Sequence, residues 1–336
     1  MQKQNTAGIA LPRIILGTSS LGNLFVALDD DTRLAIVREY IESTNGPVVF
    51  DSAGKYGAGL ALEVLGNCLR QLNVAADEVV ISNKLGWIRS ELKTEEPTFE
   101  PGVWKDLKHD AVQKISYDGI MECFDQGNAL LGGYIPKMVS VHDPDEYVAA
   151  AADAKDAEKR YADILEAYQA LFDLKKQGKV EAVGVGAKNW KMIRQISSDV
   201  DLDWIMIANS LTLKSHPKDL MEFISSKSDQ GVSIINSAVF HSGFLVGGNF
   251  YDYKPVSSGT AEHDALLKWR ADFFAVCKSY DIKPAAACVQ FALQLDGVKS
   301  LALSTTDPSR IKTNLRMAEH ELPLEFWQEL KQQGLV

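Results

Sequence analysis

Residues 47–57, PVVFDSAGKYG, contain an apolar run that ends abruptly in the carboxylate of Asp51. Tyr56 follows in a glycine-rich loop, and residues 60–72 then carry apolar side chains at helical spacing. The stretch therefore predicts a strand, a loop and a helix, with Asp51 at the C-terminal end of the strand. In parallel α/β sheets and barrels, that end of the strands carries the active site.

The same unit recurs along the chain, since further short apolar runs alternate with helical segments. The predicted strands are residues 14–18, 48–51, 78–84, 136–142, 180–186, 204–208, 232–236 and 298–303. Such alternation without a linker or a composition break predicts an α/β fold, a single (β/α)8 TIM barrel domain over residues 1–336. A doubly wound sheet is the alternative, but the Rossmann fingerprint G-x-G-x-x-G does not follow the first strand.

Composition and charge exclude several classes of protein. With 46% hydrophobic residues, the chain can build a large core. A formal net charge of −10, without a basic stripe, argues against a nucleic-acid partner. The sequence has no apolar run long enough to span a membrane. We therefore expect a small-molecule partner and no membrane, and the sequence leaves a homodimer open.

Cysteine usage and the first residues indicate a compartment. Cys68, Cys123, Cys277 and Cys288 are scattered and have no metal-binding spacing, so we expect buried free thiols and no metal. Residues 1–13, MQKQNTAGIALPR, lack the basic and then apolar pattern of a signal peptide. Both features lead us to expect a cytoplasmic protein.

Three connecting segments have predicted roles of their own. The polar stretch from Trp87 to Asp110 is long enough to be a functional loop or a cover. Within the loop 237–253, residues 240–248 are rich in glycine, and their backbone N–H groups suit the cofactor pyrophosphate; the alternative is a flexible surface loop. A hairpin over Gly8 to Pro12 is predicted to plug one end of the barrel.

Polar side chains stand at or just beyond the ends of three predicted strands. They are Asp51, Tyr56, Lys84 and His142, and in a barrel these strand ends converge on one mouth. A nearby ammonium favours the phenolate form of tyrosine, and Asp51 would hold Lys84 charged and in place. With His142 orienting a substrate oxygen, Tyr56 becomes a general acid or base for a carbonyl or alcohol. A cofactor must then supply the hydride.

These residues resemble the catalytic tetrad of the aldo-keto reductase superfamily, and the resemblance covers nearly the whole chain. Residues 117–119, 142–145, 236–245 and 251–253 are similar to the D-threo-aldose 1-dehydrogenase, or L-fucose dehydrogenase, group. Pyridoxal 4-dehydrogenases are similar as well. The resemblance implies a nicotinamide-dependent enzyme that oxidises the anomeric hydroxyl of a free aldose to a lactone. Tyr56 and His142 would contact the substrate. Trp87, beside Lys84, is either core packing at the barrel rim or a substrate wall, and the stacking of sugars on aromatic rings favours the wall.

The resemblance also implies the residues that bind NADP(H) or NAD(H). They are Gly17, Thr18, Asn189, Asn209, Phe240, Ser242, Gly243, Leu245, Ser304, Thr305, Arg310 and Asn314. Ser304 stands where many relatives have a lysine that favours the 2′-phosphate, so NAD use is plausible. Arg310 is retained and could stack on adenine or meet that phosphate. Asn189 is shifted from the family's Ser-Asn pair, and Ala208-Asn209 replaces its glutamine.

Other functions remain open at this stage. One is an NADPH-dependent reductase of small aldehydes, ketones or pyridoxal in the same superfamily. Another is a regulatory protein on the same scaffold, similar to aldo-keto-reductase-like channel subunits. An aldolase or isomerase with Lys84 as a Schiff base is disfavoured, because pairing with Asp51 keeps the amine charged.

Overall fold

The computed structural model describes residues 9–252 and 254–336. The strands are β1 (Ile14–Gly17), β2 (Val48–Ala53), β3 (Val79–Leu85), β4 (Trp87–Glu91), β5 (His109–Gln113), β6 (Met138–His142), β7 (Ala182–Ala187), β8 (Trp204–Ala208), β9 (Ser233–Ser237), β10 (Phe250–Tyr251), β11 (Lys254–Pro255) and β12 (Val298–Leu303). The helices are α1 (Asp30–Ser43), α2 (Leu60–Gln71), α3 (Tyr117–Leu131), α4 (Pro144–Ala149), α5 (Ala154–Lys176), α6 (Trp190–Asp199), α7 (Lys218–Asp229), α8 (Ala261–Ser279), α9 (Pro284–Gln294), α10 (Arg310–Glu319) and α11 (Leu324–Gln332).

Eight parallel strands form a closed barrel, in the order β1, β12, β9, β8, β7, β6, β3 and β2. The predicted (β/α)8 fold is confirmed, and each predicted strand corresponds to one barrel strand. Because neighbouring strands are parallel, their C-terminal ends open on the same side of the molecule.

The barrel interior is filled with apolar side chains at its N-terminal end. Ile15, Val49, Met138, Trp204 and Ile235 belong to this cluster, and each points inward from a different strand. Its largest member requires a glycine on the next strand, because a Cβ at position 184 would lie 2.2 Å from the ring of Trp204. The filled interior leaves the opposite end of the barrel for chemistry.

The helices bury their apolar faces against the outside of the barrel. Helix α1 shows the arrangement, since Ile36, Val37 and Tyr40 are buried and the Tyr40 hydroxyl donates to backbone oxygens of β1 and β2. Each such side chain contributes about 1.5–3 kcal/mol when it is fully buried. The four cysteines are free and buried, as expected.

The segment predicted as a long loop after Lys84 contains a second sheet. Strands β4 and β5 pair antiparallel outside the barrel, so that Trp87 faces Gln113 and Glu91 faces His109. Residues 87–113, here called the roof hairpin, cross the barrel mouth. Their tip joins the loop after β1, where Phe25 N donates to Val103 O and Leu24 bridges to Trp104.

Two other connections are more structured than the sequence indicated. Helix α4 was not predicted; it follows directly after β6, with Pro144 in its first turn. The glycine-rich segment contains a short 3-10 helix at Phe244–Val246 and the small hairpin of β10 and β11.

The predicted N-terminal hairpin begins at Gly8, which lies outside the described residues. Tyr253, the last residue of the predicted glycine-rich loop, also lies outside them. Ile9 and Leu11 pack against the apolar cluster at the N-terminal end of the barrel. Within the described part of the chain, the helices are too short or too polar to cross a membrane.

Candidate active site

The strand register brings three of the predicted residues to the barrel mouth. Ala53 pairs with Lys84, Lys84 pairs with Ser140, and His142 pairs with Gly186. Side chains two residues apart on a strand share a face. Asp51 therefore points inward like Val49, one layer further towards the mouth, and His142 points inward like Met138, two layers further towards the mouth.

Asp51 and Lys84 form a buried ion pair below the mouth. Their side chains are 5% and 3% exposed, and Lys84 Nζ lies 2.5 Å from Asp51 Oδ2. Ser82 Oγ donates to the other carboxylate oxygen at 3.2 Å. Because both oxygens are satisfied, the carboxylate is held in one orientation and fixes the ammonium. Lys84 Nζ lies 4.8 Å from the centre of the Tyr56 ring.

The position of Tyr56 depends on close backbone contact with the loop after β1. A Cβ at Gly57 would lie 2.3 Å from Gly22 O, and one at Gly22 would lie 2.8 Å from the carbonyl carbon of Tyr56. Gly57 also has a φ of +61°, which other residues rarely adopt. The two glycines therefore clamp the tyrosine backbone at the mouth.

His142 is buried beside Tyr56. The two rings meet edge to face, with 5.6 Å between their centres, and Nε2 lies 3.6 Å from Asp143 Oδ2. Burial first, and then the ammonium groups of Lys84 and Lys55, hold the pKa of His142 well below its usual value. The imidazole is therefore neutral at pH 7 and can hydrogen-bond a substrate oxygen without adding charge.

We expect His142 to make the folded protein less stable in mild acid. Below about pH 6.5 the unfolded chain protonates this imidazole and the folded protein does not, so stability falls by up to about 1.4 kcal/mol per pH unit. When thermal unfolding is measured from pH 7.5 to pH 5, the Tm should fall less steeply for His142→Gln than for the wild type. The exposed His320 is the control, because His320→Gln should leave the slope unchanged. Equal slopes for His142→Gln and the wild type would contradict the expectation.

Above these residues lies a cavity of about 690 Å³. Tyr56 and His142 lie on its wall with Asp51 and Lys84. Its apolar lining includes Trp104, Val103 and Phe25 from the roof hairpin and the loop after β1. Its charged lining includes Lys55, Glu100, Asp143 and Lys188.

The structure places Trp87 away from this wall. Its ring packs against Phe99, and Lys55 Nζ lies 5.2 Å from the centre of the ring. Trp104 is the tryptophan on the cavity wall, with its ring centre 5.9 Å from that of Tyr56. The indole that a substrate ring could stack on is thus 17 residues further along the chain.

The predicted cofactor residues divide into two sets. Gly17, Phe240, Ser242, Gly243 and Ser304 line the cavity. The others are not among its described lining residues: Thr18 bonds Asp51 O, Leu245 belongs to the core, Asn189 caps α6, Asn209 follows β8, Thr305 bonds Asp307 O, Arg310 pairs with Asp307, and Asn314 lies on α10. The cavity thus runs from Tyr56 and His142 to both predicted phosphate-binding segments.

The glycine-rich loop is held by a buried histidine. His241 Nδ1 lies 2.7 Å from Asp252 Oδ1, Nε2 lies 2.7 Å from Thr212 Oγ1, and the ring stacks on Tyr251. Ser242 and Gly243, at the cavity, follow this histidine directly. The pair with Asp252 therefore joins the loop to the β10–β11 hairpin.

Sequence reasoning missed the charged side of the cavity. Lys55, Glu100, Asp143 and Lys188 were not singled out, although Lys55 precedes Tyr56 and Asp143 follows His142. The available signal was a charged side chain adjacent to a candidate catalytic residue in a strand-end loop. Without the fold, such a residue is indistinguishable from a solvated surface charge.

Comparison with known proteins agrees with this arrangement. A model of the aldo/keto reductase family matches residues 13–334. Two curated relatives match along nearly their whole length. A pyridoxal 4-dehydrogenase of Microbacterium luteolum is 28% identical over 343 residues, covering 98% of this chain and 96% of the relative. A D-threo-aldose 1-dehydrogenase of a Pseudomonas species is 28% identical over 342 residues, with the same coverage.

Solved structures share the fold at low sequence identity. An aldo-keto reductase from Bacillus halodurans in its holo form has a TM-score of 0.69 and 18% identity, covering 99% of this chain and 94% of that chain. A glycerol dehydrogenase from Gluconobacter oxydans has a TM-score of 0.69 and 16% identity, covering 98% and 94%. Identities this low establish the shared barrel and not a shared substrate.

Proposed function

Because the chain belongs to the aldo/keto reductase family and is an NAD(P)-dependent oxidoreductase, we propose that it oxidises the anomeric hydroxyl of a free aldose to a lactone. The observation that carries the proposal is the mixed lining of the cavity, which holds aromatic and charged side chains together. Trp104 offers a flat apolar surface, and Lys55 and Asp143 offer a donor and an acceptor beside Tyr56 and His142. A sugar ring presents matching surfaces, since its C–H face stacks on aromatic rings and its hydroxyls bind charged groups.

The residues present fit a nicotinamide cofactor. The cavity extends from Tyr56 to Ser242 and Ser304, which gives room for an extended ligand in addition to a small substrate. At the end of β8, the buried Asn209 Oδ1 has no hydrogen-bond partner among the described residues. A buried amide oxygen of this kind normally accepts a hydrogen bond, and a carboxamide is a suitable donor. When bound, the nicotinamide ring supplies the hydride acceptor.

The side chains at the mouth divide the proton chemistry among them. The nearby Lys84 ammonium stabilises the phenolate form of Tyr56, and this phenolate takes the proton from the anomeric hydroxyl and becomes a neutral phenol. Asp51 holds that ammonium in place. Neutral His142 donates or accepts a hydrogen bond at the substrate oxygen and fixes its direction. In the reverse reaction, Tyr56 returns the proton to a carbonyl oxygen.

A second candidate is turnover of pyridoxal or a small aldehyde. The pyridoxal 4-dehydrogenase relative favours it, and the flat indole of Trp104 also suits a pyridine ring. The same proton-transfer residues serve both candidates, so the difference lies in the cavity walls. A cytoplasmic location and a homodimer remain parts of the proposal that need their own measurements.

Absorbance of reduced nicotinamide tests the proposal directly. Purified protein is mixed with NAD or NADP and a panel of aldoses, with L-fucose first, and then with pyridoxal. A rise with one aldose supports the sugar dehydrogenase. A rise with pyridoxal alone, or consumption of NADPH with simple aldehydes alone, replaces it with the second candidate. No change in any of these assays would favour a regulatory protein.

We propose further that the enzyme prefers NAD, for two reasons. Ser304 has no positive charge to offer the 2′-phosphate of NADP, and the Arg310 guanidinium is paired with the Asp307 carboxylate at 3.6 Å. Ser304→Lys should raise the ratio of kcat/KM for NADP to that for NAD by about tenfold or more, through one charge-assisted contact to the 2′-phosphate. The control Ser226→Lys adds the same charge on α7, away from the cavity, and should leave the ratio unchanged. Equal ratios for Ser304→Lys and the wild type would remove this segment from cofactor choice.

A further inference from the structure

We propose that Lys55 is a specificity-determining residue, which holds Glu100 and Asp143 on the cavity wall to bind hydroxyl groups next to the reacting carbon of the substrate. The inference rests on the proposed function and deepens it. It assigns the recognition of hydroxylated substrates to one partly buried cluster, here called the Lys55 cluster, which consists of Lys55, Glu100, Asp143, Glu146 and Lys188.

Lys55 is the centre of this cluster. Its side chain is 4% exposed, and its Nζ lies 2.8 Å from Glu100 Oε1 and 3.2 Å from both Asp143 Oδ2 and Glu146 Oε2. Glu146 also pairs with Lys188. One ammonium thus joins the roof hairpin, the turn after β6 and, through Glu146, the loop after β7.

The charges of the cluster do not cancel. Lys55 and Lys188 contribute two positive charges and the three carboxylates contribute three negative ones, so the cluster as a whole is anionic. Burial alone would lower the pKa of Lys55, but Asp143, Glu100 and Glu146 outweigh it and raise that pKa, which keeps the amine protonated. Buried ion pairs are weak devices for stability, because desolvation offsets much of the attraction. A cluster at this position is better explained by what it presents to the cavity.

The cluster adjoins the reacting groups. Asp143 Oδ2 lies 3.6 Å from His142 Nε2, and Lys55 immediately precedes Tyr56. When Tyr56 and His142 bind the reacting oxygen, a hydroxyl on the next carbon lies within reach of this wall. A hydroxyl both donates and accepts, so a carboxylate and an ammonium side by side satisfy it fully.

Lys55 also helps to position Trp104, an apolar side chain of the cavity lining, through Glu100. Glu100 Oε2 accepts a hydrogen bond from Trp104 Nε1 at 2.7 Å, while Oε1 binds Lys55. Trp104 is thereby fixed over Tyr56 through one carboxylate. Loss of the Lys55 charge should therefore disturb both the hydroxyl-binding side and the stacking side of the cavity.

Two three-carbon aldehydes test the inference. D-glyceraldehyde and propanal differ by two hydroxyls, and their reduction is followed by consumption of NADH or NADPH. The wild type should prefer glyceraldehyde, and Lys55→Met should lower the glyceraldehyde-to-propanal ratio of kcat/KM by about tenfold or more, mainly through KM for glyceraldehyde. Glu100→Gln removes the charge that pairs with Lys55, so it should lower the ratio. It keeps the size and a hydrogen-bond acceptor, so it should preserve the Tm. The surface variant Lys218→Met should change neither the glyceraldehyde-to-propanal ratio nor the Tm.

A purely structural role for Lys55 predicts another pattern. In that case Lys55→Met loses both activities in proportion, or fails to fold, while Glu100→Gln keeps the wild-type ratio. That pattern, or a wild type with no preference for glyceraldehyde, overturns the inference. Neither outcome depends on sugar oxidation, so a failure of the lactone-forming function is seen separately, as absence of turnover with aldoses.

Discussion

Tyr56→Phe should lower kcat by about a thousandfold, since a well-placed general acid or base contributes about 10²–10⁴ in rate. The change removes one hydroxyl and keeps the ring, which contacts Trp104 and His142. The Gly22–Gly57 contact that positions the backbone is also kept. Cofactor affinity, measured by fluorescence titration, and the Tm should therefore stay near the wild-type values. Only steps that need the phenol should be affected.

The matched control is Tyr117→Phe. Tyr117 lies on α3, and its hydroxyl donates to Asp173 far from the cavity lining. This variant loses the same atom and should keep its kcat. If Tyr56→Phe retained more than a tenth of the wild-type kcat under conditions where chemistry limits turnover, another group would have to handle the proton.

Lys84→Met should have the second large effect, on stability and on activity together. The change leaves the Asp51 carboxylate buried without its cation, and an unpaired buried charge costs about 3–5 kcal/mol. Urea unfolding should show this loss of free energy. The rate should also fall by at least about a hundredfold, because the ammonium 4.8 Å from the Tyr56 ring is gone.

A double variant separates the two effects of Lys84. Asp51→Asn/Lys84→Met carries neither charge, so it should recover most of the lost stability, yet it should stay as inactive as Lys84→Met. Lys175→Met provides a second comparison, because Lys175 pairs with the buried Asp203 away from the mouth. It should be less stable and keep its kcat. Recovery of activity in the double variant would show that Lys84 serves folding alone.

The sequence predicted the barrel because each barrel strand is a short apolar run bounded by turn residues. The roof hairpin escaped prediction for a physical reason. Its strands, WIRSE and HDAVQ, lie outside the barrel and carry polar side chains, and Trp87 pairs with Gln113 across a long connection. A pairing between such distant residues has no local signature in the sequence.

The site shows the same division between local and distant information. Asp51, Lys84 and His142 could be placed together because strand ends in a barrel must converge. The Lys55 cluster could not, because Glu100 lies on the roof hairpin and Glu146 lies on helix α4, and neither of these elements was predicted. The sequence analysis singled out Trp87 as a substrate wall because it stands beside Lys84 along the chain, and it did not consider Trp104. The course of the roof hairpin decides which indole reaches the cavity.

The four buried cysteines have a consequence for the resistance of the protein to electrophiles. Burial raises the pKa of Cys68 and Cys123 to about 11, raises that of Cys277 to about 12, and raises that of Cys288 further still. Reactive carbonyl compounds and alkylating agents attack the thiolate, which these groups scarcely form at neutral pH. The thiols should therefore react slowly with such electrophiles, and the protein should tolerate oxidising buffers without a reductant.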